Sequence, residues 1–152
     1  MSELEPRLKL AGIEDLDALA PLVRAYHEFE HAQLTDEQRA AALRPLLTDG
    51  SLGKIWLVLA GRNPIGYLAV CYGYSIEFMG TDAFVDEFYI EPRWRGKGIG
   101  GRVLAAVSED MAGSGVKALH LEVARSNERA RSLYRAHGFD SREQFHMMSK
   151  VF

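Results

Sequence analysis

Residues 81 to 123 constrain the fold more than any other part of this chain. An apolar run, Thr81 to Ile90, leads into the glycine loop Arg95-Gly96-Lys97-Gly98-Ile99-Gly100. The loop opens a stretch in which Ile99, Val103, Val107 and Met111 recur every four residues, the spacing of one helix face. Gly113-Ser114-Gly115 stops that helix. Ala118 to Ala124 then alternates Leu119, Leu121 and Val123 with His120 and Glu122, as a strand does. Strand, helix and strand in this order predict a right-handed crossover joining two parallel strands. Glycine allows left-handed backbone and close approach of a ligand. At a helix start, free N–H groups and the helix dipole favour an anion, and Arg95 and Lys97 add positive charge. The loop therefore reads as a cradle for a pyrophosphate.

The other elements follow from pattern. Arg7 to Ala11 predicts a short first strand, and Leu16, Leu19, Val23 and Tyr26 mark one face of a first helix. Pro21 falls inside that pattern, where it kinks the helix or marks where its regular part begins. Thr35 with Gln38 three residues on is a capping-box pair, so Asp36 to Leu47 predicts a second helix, ended by Asp49-Gly50. Ile55 to Ala60 and Ile65 to Tyr74 are apolar runs joined by Gly61-Arg62-Asn63-Pro64, the pattern of an antiparallel hairpin. Asn127 to His137 is helical, with Gly138 as its stop, and Phe145 to Phe152 is expected as a last strand. The order β, α, α, β, β, β, α, β, α, β predicts an α/β mixed sheet, mostly antiparallel, with one parallel strand pair and helices on both faces. With no repeat or linker, residues 1–152 are expected to form one domain.

Bulk properties narrow the function. The formal net charge of −3 lacks the basic excess usual for nucleic-acid binding. No apolar run is long enough to span a bilayer, and the acidic Met1-Ser2-Glu3-Leu4-Glu5 lacks the basic start of a signal peptide. A single cysteine, Cys71, cannot form an internal disulfide and reads as a small hydrophobe in a strand. A cytoplasmic protein without nucleic-acid or membrane partners is expected.

Three pyrophosphate ligands compete for the loop. A nucleoside-triphosphate loop needs Ser or Thr after its Gly-Lys, which this chain lacks. Gly96, Gly98 and Gly101 satisfy the dinucleotide pattern, with Glu122 about twenty residues on. That loop, however, starts six residues beyond Ile90, and too little chain follows for a dinucleotide domain. The third reading covers more of the chain. Arg95, Gly98 and Gly100, within Ile90 to Gly100, resemble the acetyl-coenzyme A signature of the GNAT N-acetyltransferase superfamily. The likeness continues through Glu122-Val123-Ala124-Arg125-Ser126-Asn127, Ala130, Leu133-Tyr134 and Gly138-Phe139, with some similarity to diamine acetyltransferases.

The resemblance implies two neighbouring parallel strands that splay, with the coenzyme in the gap between them. The backbone of Phe88, Tyr89 and Ile90 would then pair with the pantetheine as an added strand does. Arg95, Gly96, Lys97, Gly98, Ile99, Gly100 and Gly101 would hold the pyrophosphate. Asn127 would bind the coenzyme arm, a role compatible with capping a helix. The implied reaction is direct attack of a primary amine on the thioester of acetyl-CoA, without metal. A backbone N–H near Phe88 or Tyr89 would steady the oxyanion. Tyr134 matches the position that returns a proton to the thiolate and would also line the cofactor site. Asp86 stands where relatives carry a base, with the parity of Phe84, Phe88 and Ile90, and Glu87 is the fallback. The acceptor, a small cationic amine, would meet Tyr26, Glu28, Tyr72, Tyr74 and Asp86, with His27, Glu30 and Glu77 nearby, through ion pairing and cation–π contact. Pairing into a homodimer is also implied.

Two other readings stay open in the sequence. His27-Glu28-Phe29-Glu30-His31 spells the zinc-hydrolase pattern His-Glu-x-x-His, which needs both histidines on one helix face. Alternatively, the chain is a coenzyme-binding module without turnover.

Overall fold

The computed structural model describes residues 5–152, which form two compact units divided between Glu122 and Val123. In the first, β1 (Arg7–Leu10) leads through a 3-10 turn (Ile13–Asp15) into α1 (Leu16–Phe29) and α2 (Asp36–Thr48). Then come β2 (Gly53–Ala60), β3 (Asn63–Ser75), β4 (Gly80–Ile90), a 3-10 turn (Pro92–Trp94), α3 (Ile99–Gly113) and β5 (Ala118–His120). The strands lie side by side in chain order, antiparallel except for the parallel pair β4 and β5.

Local chemistry accounts for the elements. The Gln38 amide N–H donates to Thr35 Oγ1 at 3.1 Å, and the Thr35 N–H donates to Gln38 Oε1 at 2.9 Å, closing the expected capping box. Pro21 lies inside α1 and does not start it; the helix runs from Leu16 without the hydrogen bond that a residue-21 N–H would make. Gly61 takes φ +63° at the hairpin turn, a conformation glycine reaches without steric cost.

Register sorts the sheet into two faces, because paired residues share a face. Ile55, Leu57, Leu59, Tyr67, Ala69 and Tyr89 pack against Leu19, Leu22, Val23 and Leu43 of α1 and α2. The alternate residues Trp56, Val58, Leu68 and Val70 are buried on the opposite side, and Ile99, Val103, Leu104, Val107 and Met111 form the buried stripe of α3. Lys54, in phase with Trp56 and Val58, reaches Asp110 of α3 at 3.1 Å.

A bulge in β4 corrects one expectation. Ala69 pairs with Glu87, but Val70 pairs with Val85, so Asp86 has no partner across the ladder. The extra residue resets the alternation. Phe84 shares a face with Glu87 and Tyr89, whereas Phe88 and Ile90 share theirs with Ala83 and Val85. The common parity expected for Asp86, Phe84, Phe88 and Ile90 does not hold.

The second unit contains α4 (Glu128–Ala136), stopped at Gly138 with φ +88°. The last strand expected over Phe145 to Phe152 does not form: it has no ladder pairing among the described residues, and Phe145, Met147, Met148, Val151 and Phe152 are exposed. The strand expected from Ala118 to Ala124 also shortens to Ala118–His120, because its pairing with β4 stops there.

Close backbone approach makes Gly53 a sensitive position. A Cβ there would sit 2.0 Å from the Val70 carbonyl oxygen and 3.0 Å from Cys71 Cα, both backbone atoms that cannot swing aside. Gly53→Ala is expected to destabilise the protein by about 3 kcal/mol and to lower the melting temperature by about 10 °C. Thermal denaturation followed by circular dichroism reads the change directly, and an unshifted melt would contradict the β2–β3 register.

Candidate active site

β4 has one open edge. It pairs with β5 only through Asp82, Ala83 and Phe84, so from the bulge onward it has no strand on that side among the described residues. The Glu91 N–H donates to the Ile65 carbonyl at 2.8 Å, which fixes how the preceding residues face. Backbone groups alternate sides along a strand, so Tyr89 turns its N–H and C=O toward β3, while Phe88 and Ile90 turn theirs into the gap. The position of the Tyr89 carbonyl agrees, since a Cβ on Gly66 of β3 would lie 2.3 Å from it. Of the three residues expected to line the carrier, Phe88 and Ile90 turn main chain into the gap and Tyr89 does not. Arg95 Nε already donates to the Ile90 carbonyl at 2.8 Å, and its guanidinium lies 5.6 Å from the Tyr89 ring centre. Arg95 thus ties the glycine loop to the end of β4.

The loop itself fits a diphosphate. Gly96 and Gly98 hold φ of +76° and +79°, and Gly98 forms the N-cap of α3. No protein atom lies within 4 Å of where a Gly98 Cβ would be, so the space above it is open to a ligand. No side chain caps α3, which leaves the first-turn N–H groups of Ile99, Gly100 and Gly101 available for an anion. Lys97 Nζ lies 5.4 Å from the centre of the Trp94 ring beside the loop.

Glu87 stands at the centre of a buried polar chain on the α1/α2 face. Tyr67 donates its hydroxyl to Glu87 Oε1 at 2.8 Å, and His27 Nε2 lies 2.6 Å from Glu87 Oε2. Arg39 Nε, always a donor, reaches His27 Nδ1 at 3.2 Å. Nδ1 must therefore accept, which makes His27 neutral with its proton on Nε2, aimed at the carboxylate. Arg39 also donates to Asp36 Oδ1 and to the Leu34 carbonyl, each at 2.7 Å. Burial first, and the Glu87 carboxylate second, hold the Tyr67 phenol far above its usual range, so it stays a donor. The Glu87 side chain keeps 22% of its surface exposed, enough for a solvent-side approach to a carboxylate gripped from behind.

The expected acceptor residues separate. Tyr26 joins the chain's aromatic floor, 6.4 Å from the Tyr67 ring and 6.3 Å from that of Tyr89. Tyr72 and Tyr74 pair with Ala83 and Thr81, in phase with Leu68 and Val70, so they belong to the opposite sheet face. Glu28 is exposed and pairs with Arg24 at 3.2 Å; Glu30 and Glu77 are exposed as well. Asp86 is exposed at the bulge, and its charge acts on both Tyr67 and Cys71. Burial, then Asp86 and Glu87, push the Cys71 thiol up, so it remains protonated and is a poor nucleophile.

In the second unit, Asn127 caps α4, its Oδ1 accepting from the Ala130 N–H at 3.2 Å. Tyr134 packs edge-on to Phe139, 5.9 Å between ring centres, and burial raises its phenol.

The zinc arrangement is overturned by helix geometry. α1 ends at Phe29, and His31 lies beyond it with φ +59°, so the two histidines share no helix face. His27 is committed to Glu87 and Arg39, and no three potential metal ligands converge among the described residues.

Pattern reading left Tyr67 and Arg39 unnoticed. Arg39 carried a signal: it lies four residues before Leu43 and shares its buried face, where an unpaired guanidinium would not persist. Tyr67 in a buried strand had none.

The open strand edge, the glycine loop and the carboxylate define an acyl-transfer fold of the coenzyme A type. Residues 16–139 match the acetyltransferase (GNAT) family, a span that includes segments of both units. The chain belongs to that family and is an acetyl-CoA-dependent N-acetyltransferase. It is 29% identical over 133 residues to "Uncharacterized N-acetyltransferase YhfO" of Bacillus subtilis (strain 168), covering 88% of this chain and 89% of that one. It is 34% identical over 78 residues to the thialysine N-epsilon-acetyltransferase of Bos taurus, covering 51% of this chain and 45% of that one. Among solved structures, the integron cassette protein HFX_CASS3 from the Cole Harbour Salt Marsh metagenome superposes with TM-score 0.85 at 28% identity, covering 95% of this chain and 90% of that one. No helix among the described residues is long and apolar enough to cross a membrane.

Proposed function

We propose that the enzyme acetylates the primary amine of a small cationic acceptor, with Glu87 as the proton acceptor. The observation that carries this reading is the Glu87 carboxylate, held by Tyr67 and His27 yet open on one side, on the strand whose edge is unpaired beyond Phe84 among the described residues. Acetyl-CoA supplies the activated thioester. The main chain of Phe88 and Ile90 and the amides from Gly96 through Gly101 hold the carrier. The Phe88 N–H, which faces the gap, is the donor placed for the oxyanion.

The amine attacks as the free base. As the C–N bond forms its nitrogen becomes acidic, and Glu87 takes the proton directly or through one water. The C–S bond breaks, and the thiolate takes a proton from Tyr134, which solvent reprotonates as Glu87 releases its own; burial keeps the phenol protonated at neutral pH but makes it the weaker acid of the pair, so the transfer is uphill. Asn127 and Tyr134 hold these roles on their match to the family pattern. Cys71 takes no part, which supports direct transfer over an acyl-enzyme.

Asp86 has the role of attracting the acceptor. It is exposed, carries no ladder pairing and adds a second negative charge beside Glu87. The relative named for the ε-nitrogen of thialysine supports a lysine-like amine. The proposal extends to a cytoplasmic setting without nucleic-acid partners, on the formal charge of −3.

A panel of amines with acetyl-CoA tests the reading. Lysine-like and polyamine acceptors should exceed neutral and anionic amines in kcat/KM by about tenfold or more. Asp86→Asn should raise KM for the cationic acceptor about threefold, the size of an exposed ion pair, and leave KM for acetyl-CoA alone. Preference for anionic or neutral amines would reject the acceptor class.

A further inference from the structure

We propose that His27 and Arg39 are positioning residues that lock the Glu87 carboxylate in one orientation by presenting it with a fixed N–H donor. The inference rests on the reading of Glu87 as proton acceptor, and it adds two residues from helices outside the coenzyme signature.

The argument is one of hydrogen-bond direction. A lone histidine beside a carboxylate can turn either nitrogen to it, and can be neutral or charged. Here Arg39 removes the choice. Its Nε–H occupies the Nδ1 lone pair at 3.2 Å, leaving Nε2–H as the donor to Glu87 at 2.6 Å. Arg39 is in turn fixed by Asp36 and the Leu34 carbonyl, so α2 sets the tautomer of a side chain on α1. Both His27 and Arg39 are buried, at 7% and 5% exposure. Tyr67 holds the other carboxylate oxygen. With one oxygen on a phenol of β3 and the other on an imidazole of α1, Glu87 cannot rotate away without breaking a buried bond. Its remaining lone pairs face the open side.

This arrangement separates two properties that glutamate alone would mix. Two donors behind the carboxylate fix where it stands and leave its open side to the acceptor. The donors do not contact the acceptor, so their loss should reduce turnover more than affinity.

The pair His27→Gln and His27→Asn tests the proposal. Glutamine can place an amide N–H near the position of Nε2, whereas asparagine reaches only as far as Nδ1. The expected result is kcat within about threefold of the parent for His27→Gln and lower by about tenfold or more for His27→Asn, with KM for acetyl-CoA unchanged in both. A residue that only fills the core would make the two variants alike. Equal kcat in both, lowered or not, overturns the proposal. Glu87→Gln is assayed alongside. If it loses turnover while His27→Asn keeps it, the positioning role falls and the reading of Glu87 stands. If Glu87→Gln keeps full turnover, that reading falls and takes the positioning role with it. Should His27→Asn fail to fold, Arg39→Gln with native His27 makes the same test: lowered kcat with unchanged KM for acetyl-CoA supports the lock, and unchanged kcat overturns it.

Discussion

Glu87→Gln should lower kcat at neutral pH by about 100-fold or more while leaving the Kd for acetyl-CoA within about twofold. The amide keeps the shape of the side chain and can still accept from one of the two donors, the Tyr67 hydroxyl or the His27 Nε2–H, while its NH2 faces the other, so circular dichroism checks the fold alongside the kinetics. What it loses is the capacity to take a proton. The pH profile supplies a second signature. An alkylamine has a pKa of about 10, so its free-base fraction rises about tenfold per pH unit below that value. Because Glu87 acts only once the free base attacks, kcat/KM should climb through the alkaline range in parent and variant alike, with the variant's deficit persisting. Steady-state kinetics from pH 6 to pH 10 would show it. A variant that turns over like the parent at neutral pH would remove Glu87 from the chemistry.

Gly98→Val should weaken acetyl-CoA binding by about 100-fold, measured by calorimetry. Two effects act together. At φ +79° any side chain is strained, at a cost of about 1–3 kcal/mol, and β-branching adds to it. The new side chain also fills the open space over the α3 N-terminus where no protein atom lies within 4 Å. That space costs nothing to fill in the free protein, so the melting temperature should fall by only the backbone strain. A variant that binds acetyl-CoA like the parent would show that the loop does not receive the diphosphate.

Much of the fold was legible because its signals are local. The Thr35–Gln38 capping box, the Gly61 turn, the four-residue spacing of α3 and the glycines flanking it each act within a few residues. The family, too, could be recognised from the loop and the motif around Asn127. The strand expected over Phe145 to Phe152 shows the limit of such reading. Hydrophobic content proposes a strand, but a strand exists only where another backbone offers a ladder, and no described residue pairs with it there. The shortening of β5 has the same cause, and it leaves the end of β4 with an open edge.

The site divides along the same line. Sequence by itself determined the left-handed glycines and the uncapped start of α3, because glycine conformation and helix-start amides depend on neighbours in the chain. It could not choose between Asp86 and Glu87, since both are carboxylates in one strand. The bulge opposite Ala69 and Val70 made that choice, turning Glu87 to the face shared with Tyr67 and leaving Asp86 unpaired and exposed. Plain alternation along β3 puts Tyr72 and Tyr74 on the face opposite Tyr67, and the packing of α2 against α1 brings Arg39 to a histidine twelve residues away in another helix. A one-residue shift in pairing reverses which side chains share a surface, and that shift is fixed by the packing of whole elements, beyond the reach of any local pattern.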